Sequence, residues 1–153
     1  MLKQAGEALK RARKISEEHE LFPELLKIIN REKQFFRAAE SSAEFVVKHD
    51  NLIKEENEIL VKIKNVNEFS NLRYKIVQFT NTWGTGFARD EQQHKQLMDF
   101  LNDPLLGSES KALSRITLKF YHQTLSNLYS YLGEPEQSYK YVMSHMKLIE
   151  EDI

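Results

Sequence analysis

Glu91 and His94 stand three residues apart, so on a helix a carboxylate and an imidazole share one face. Dinuclear carboxylate centres in helical bundles need two such Glu-x-x-His pairs and two more inward-facing glutamates. The chain has no second Glu-x-x-His, so this pair is expected on a solvated face beside Asp90. Ser108 to Lys111 and Ser144 to Lys147 both fit the Ser-x-x-Lys spacing of some serine hydrolases. The Ser-Asp-Asn and Lys-Thr-Gly partners of that chemistry are missing. Ser108 reads better as a helix N-cap, and Ser144 as a small residue at a helix contact. Gly84-Thr85-Gly86 lacks the Gly-Lys-Ser/Thr continuation of a phosphate loop and reads as a helix stop.

Five histidines are scattered along the chain: His19, His49, His94, His122 and His145. His122 and His145 are expected to lie near each other across the last helix hairpin, but two ligands close no zinc shell. The basic run Lys10-Arg-Ala-Arg-Lys14 could touch phosphates. Glu7, Glu17, Glu18 and Glu20 flank it and no aromatic interleaves it, so a solvated helix face is the expectation. There is no cysteine, which removes disulfides, thiolate metal sites and thiol nucleophiles. These residues predict no enzyme, no metal and no cofactor.

The elements that must carry these residues are helical. The chain has 153 residues, 41% hydrophobic and 29% charged, with a formal net charge of −1. That is enough to build a core, and too balanced in charge to draw the chain to nucleic acid or anionic lipid. No apolar run approaches the ~20 residues of a membrane helix. Such a chain is expected in the cytoplasm. Pro23, Pro104, Pro135, Gly84, Gly86, Gly107 and Gly133 supply the punctuation.

A first helix spans about Leu2 to His19, with a stripe of Leu2, Ala5, Leu9, Ala12 and Ile15. A second starts at Pro23 and carries Leu25, Ile28, Ile29, Phe36, Ala39, Ala43, Val46 and Val47, with a gap at Glu32. The polar triplets His49-Asp-Asn51 and Asn65-Val-Asn67 predict breaks near residues 50 and 66, because Asp and Asn side chains compete with helical hydrogen bonds. A third helix then holds Leu52, Ile53, Ile59, Leu60 and Ile63. A fourth holds Phe69, Leu72, Ile76, Phe79 and Trp83. A fifth covers about Arg89 to Leu101, with Leu97, Met98 and Leu101 inward, and stops at Asn102-Asp-Pro104. A sixth runs from a Ser108 cap to Leu132. Gly133-Glu-Pro135 separates it from a seventh. Most of Phe120, Tyr121, Tyr129, Tyr131, Tyr139 and Tyr141 should be core.

The stretch Leu125 to Val142 resembles one tetratricopeptide repeat, a ~34-residue helix–turn–helix. Leu125, the small Ser126 and Tyr129 match the first helix, Gly133 the turn, Ser138 the small contact position and Val142 the large residue that follows. His122 stands where the family has an aromatic and His145 where it has a small residue. Gly6 to Ala12 is similar to the second helix of another repeat, with Ala8 and Ala12 as its small contacts, so the chain would start inside a hairpin.

The resemblance implies an all-α fold of antiparallel hairpins, about seven helices stacked in an array with a right-handed superhelical tendency. Residues 1–153 would form a single domain or a piece of a longer array. It implies a non-catalytic scaffold that binds a peptide segment or partner domain. Phe120, Gln123, Asn127 and Ser130, spaced three, four and three on one face, would line the groove. That face is as readily solvated or packed on the preceding helix. Two rival expectations are self-association through terminal helix faces, giving a homo-oligomer, and a DNA- or ligand-responsive regulator domain. No direct nucleic-acid or membrane contact is expected.

Overall fold

The computed structural model describes residues 2–39, 42–83 and 86–151. Among them are six α-helices and no strand: α1 (Leu2–Glu18), α2 (Phe22–Ala39), α3 (Ser42–Asn81), α4 (Glu91–Leu101), α5 (Arg115–Tyr131) and α6 (Pro135–Glu150), with two short 3-10 turns at Pro104–Leu106 and Glu109–Lys111. Among the described residues, no helix is long and apolar enough to cross a membrane. The chain resolves into two compact units, Met1–Lys64 and Asn65–Ile153.

Six helices stand where seven were expected: α3 runs unbroken through both predicted breaks, and the expected second helix is divided between α2, which ends at Ala39, and α3, which starts at Ser42 and carries Val46 and Val47. Asp50, Asn51 and Asn67 are simply solvent-facing. Asn65 is buried, and its side chain finds partners outside its own helix. Its Nδ2 donates to the Lys111 carbonyl at 3.0 Å and its Oδ1 accepts from the Leu113 N–H at 2.9 Å. A side chain engaged at both ends has nothing left with which to compete for helical bonds. Asn65→Ala should cost about 2 kcal/mol, because it strips two backbone groups of their partners. Hydrogen exchange at Leu113 reads this directly: its amide should lose protection in the variant more than the amides of α4 do.

In the first unit, α1 and α2 form an antiparallel hairpin. Gly6 faces the Phe35 ring, and Arg13, nearer the turn, meets Glu32. The turn is a Schellman motif: the Leu21 N–H bonds the Ser16 carbonyl at 2.8 Å and the Glu20 N–H bonds the Glu17 carbonyl at 3.3 Å. Glu20 takes the left-handed position at φ 51° that glycine usually fills.

The buried face of α1 is not the expected stripe. Ala5, Ala8, Ala12 and Ile15 are exposed, while Ser16 is buried and Gly6, Leu9 and Arg13 are half-buried. Nor is Glu32 a gap in α2. It is buried beside Leu25, Ile28 and Ile29 because Arg13 bonds it there, together with Glu55 of α3 and, at 2.9 Å, Glu17. Lys33 and Glu56 pair alongside at 2.7 Å. Leu52 and Ile59 of α3 are buried, but Ile53, Leu60, Val46 and Val47 face solvent. The side chains of Leu2, Ala39 and Ala43 lie outside the described residues.

In the second unit the core joins Phe69, Leu72 and Ile76 of α3, Leu97 of α4, Leu106, and Tyr121, Leu125 and Leu128 of α5. Phe79, Trp83, Phe100 and Tyr131 extend it through edge-on ring contacts at 4.7 to 6.1 Å. Tyr129 and Tyr141 stack at 5.7 Å. Tyr139 departs from the expected core and is 64% exposed. Met98 is likewise exposed, while Leu97 is fully buried.

Asp90 caps α4, accepting from the Gln93 N–H at 2.7 Å. α4 ends at Leu101, where the Asn102-Asp-Pro104 run predicts a stop, and Asp103 caps the 3-10 turn that follows, accepting from the Leu105 N–H at 2.9 Å. The expected cap Ser108 serves only the 3-10 turn. The cap of α5 is Ser114, which exchanges bonds with Thr117 in a capping box. α5 starts six residues later than a Ser108 cap predicts, because a 3-10 turn intervenes at Glu109–Lys111. At the other end of α5, the Glu134 N–H bonds the Tyr129 carbonyl at 2.9 Å and the Gly133 N–H bonds the Ser130 carbonyl at 3.1 Å. Gly133 sits at φ 75°, so this turn needs its glycine. The predicted stop at Gly84-Thr85 lies outside the described residues.

Candidate binding face of α5

The hairpin α5–α6 is where chemistry-bearing side chains converge. Ser126 and Ser138 meet across it: Ser138 Oγ donates to the Ser126 carbonyl at 3.0 Å. Two small residues at this crossing let the helix backbones approach, and the two hydroxyl oxygens lie 3.4 Å apart, within reach of each other.

The four predicted face residues fall along the outer side of α5, but they do not line one groove. Phe120 and Gln123 are half-buried against Arg73 of α3. The guanidinium lies over the Phe120 ring at 4.4 Å and donates through Nη2 to Gln123 Oε1 at 2.7 Å. Asn127 is exposed and borders a hollow of about 230 Å³ with Arg73, Tyr74, Ile76, Val77 and Thr124. Ser130 is exposed on a second hollow of about 540 Å³, walled by Phe87, Gly133, Pro135, Ser138, Tyr139 and Val142. The face is thus divided between two shallow sites.

Arg73 was not singled out from the sequence. The available signal was an arginine three residues before the core position Ile76 and next to the core position Leu72. Burial lowers its pKa, and no carboxylate offsets that. Thr124 is buried, and its hydroxyl has no hydrogen-bond partner among the described residues.

A separate cluster surrounds His122. The ring is 4% exposed, edge-on to Tyr121 at 5.3 Å and tilted on Tyr141 at 6.0 Å. Nε2 lies 3.6 Å from Oε1 of the largely exposed Glu109, and Nδ1 has no partner among the described residues. His145 is close enough for its charge to act on His122. Burial pushes the pKa of His122 below its ordinary 6.5, His145 adds to that, and Glu109 opposes both. The folded state therefore resists protonation that the unfolded chain accepts. Stability from this group is present above pH 6.5 and is lost as pH falls through the lower folded value. His122→Phe keeps an aromatic ring there and should flatten the acid limb of a melting-temperature profile; an unchanged limb would place the pH dependence elsewhere.

Glu91 and His94 are both exposed on α4. Among the described residues no three His, Asp or Glu side chains gather in a way that could hold a metal ion. Ser144 Oγ donates to the Lys140 carbonyl at 3.2 Å, the local bond of a helical serine. The chain matches no family model, no curated protein and no solved structure.

Proposed function

We propose that this chain is a non-catalytic interaction module of the tetratricopeptide-like kind, which holds a peptide segment or partner domain on the outer face of α5 in the cytoplasm. The observation that carries this reading is the setting of Asn127 and Ser130. Each is an exposed polar side chain at the edge of a hollow with exposed apolar walls: Tyr74 and Val77 beside Asn127, Phe87, Tyr139 and Val142 beside Ser130. Apolar surface with a few polar groups at its edge suits capture of a segment that offers both. The repeat-like reading is supported by the Ser126–Ser138 crossing and the glycine turn at Gly133.

Selection of a displayed library of random peptides tests the proposal. Enriched sequences should bind the wild type and lose binding to Asn127→Trp or Ser130→Trp, which fill the hollows from exposed positions. Peptides that bind both variants as well as the wild type would sink it.

A second reading is self-association. It is favoured by the exposed stripe Tyr139, Val142, Met143, Met146 and Ile149 on α6, spaced three, one, three and three. Sedimentation across a wide concentration range decides it: a monomer throughout removes it.

A further inference from the structure

We infer that the hollow between α3 and α5 in the second unit is a subsite for a side-chain carboxylate, an Asp or Glu of a bound peptide segment with an apolar neighbour, received by Arg73. The inference rests on the peptide-binding reading and adds to it the chemistry of what is bound.

Among the described residues, Arg73 is a half-buried cation with no carboxylate partner. Two other half-buried cations have such partners: Arg13 bonds Glu17, Glu32 and Glu55, and Lys33 pairs with Glu56. A charge withdrawn from water without a counter-ion costs free energy, and a ligand carboxylate that supplies the counter-ion recovers it.

The guanidinium is also held in place. The Phe120 ring fixes its plane, and Gln123 takes one N–H. A guanidinium has five N–H donors, so its remaining edge can serve an incoming carboxylate with two parallel bonds. Lysine cannot present that fork. Because stacking already limits the rotamers, little further entropy is lost on binding.

The walls set what accompanies the acid. Val77 is exposed beside the buried Ile76, which asks for an aliphatic or aromatic neighbour on the ligand. Asn127 can bond the ligand's backbone from the open side. Tyr74 OH already accepts from Gln78 Nε2 at 3.1 Å, which leaves its proton for the ligand. Charge and shape together favour an acidic residue within an apolar peptide over a free small anion, which would leave the apolar wall uncovered.

The test is an NMR titration of the full chain with a capped apolar tetrapeptide carrying one central Glu, and with its Gln counterpart. Both ends are blocked, so the only carboxylate is the side chain. The Glu peptide should bind about tenfold to a hundredfold more tightly, the range of a charge-assisted pair, and should shift the Arg73 Nε–H resonance. Arg73→Gln should abolish the difference, and Arg73→Lys should restore only part of it. Asn127→Trp should weaken both peptides without touching Arg73, which keeps the test decisive if an Arg73 variant folds poorly.

Equal binding of the Glu and Gln peptides, unmoved by Arg73→Gln, overturns the carboxylate subsite and leaves the peptide-binding reading standing. No binding of either peptide, together with no enriched sequence from the library, overturns both. Acetate alone binding as tightly as the Glu peptide overturns the peptide commitment in favour of a small-anion site.

Discussion

Phe69→Ala should be the most destabilising single change in the second unit, at about 3–5 kcal/mol. Phe69 is 0% exposed and lies in the core that joins α3, α4 and α5. Truncation loses the transfer free energy of the ring and leaves a cavity that three helices must close around. A small domain has only about 5–15 kcal/mol of total stability, so the variant should be close to unfolding. Urea denaturation followed by circular dichroism measures it, and Phe69→Leu, which keeps more of the volume, should cost roughly half as much or less. A loss under 1 kcal/mol for Phe69→Ala would mean that this ring is not packed as described.

Arg13→Ala should be the largest electrostatic effect, roughly 3 kcal/mol at neutral pH. Burial opposes the charge on Arg13, but the hydrogen bond to Glu55 and the charges of Glu32, Glu55 and Glu17 outweigh it, so its pKa is raised. Glu32 is the residue placed at risk. Burial raises its carboxyl pKa above 4.5, and Arg13 is the main influence pulling it back.

A carboxyl raised in the folded state binds its proton more tightly there than in the unfolded chain. Its contribution to stability is therefore present at acid pH and lost as pH rises through the folded value. Without Arg13 that value rises further, so the damage should be greatest at neutral pH and should shrink on acidification towards 4.5. Urea midpoints at the two pH values show the difference. Replacing both partners, Arg13→Met with Glu32→Leu, should recover most of the loss, since the apolar pair leaves no buried charge behind. A loss for Arg13→Ala that is the same at both pH values would contradict this role for Glu32.

Helical character was legible because glycine and proline are rare and sharply placed. Gly133 and Pro135 marked the α5–α6 turn, and the structure places them there with a left-handed glycine. Ser138 was legible as a contact position only through the resemblance to a tetratricopeptide repeat, which also gave Ser126 as the small residue of the first helix.

Several readings failed for want of a distant partner, although the expected nearness of His122 and His145 is seen. Asn65 looked like a helix breaker because its partners, the backbone of Lys111 and Leu113, are 46 and 48 residues away. Glu32 looked like a flaw in an apolar face because Arg13 lies on another helix. Ser108 won the cap over Ser114 because nothing local announces a 3-10 turn between them. In the candidate site, spacing on α5 found Gln123 and Asn127. Arg73, which gives that face its charge, sits on α3 and is visible only once the helices are packed.

We propose that ligands bind on the outer face of α5. Amide and side-chain NMR mapping with a library-selected peptide tests it most directly. The perturbed residues should cluster at Arg73, Val77, Gln123 and Asn127 or at Phe87, Ser130 and Tyr139. Perturbations confined to α1 and α2, with the α5 face silent, would contradict it.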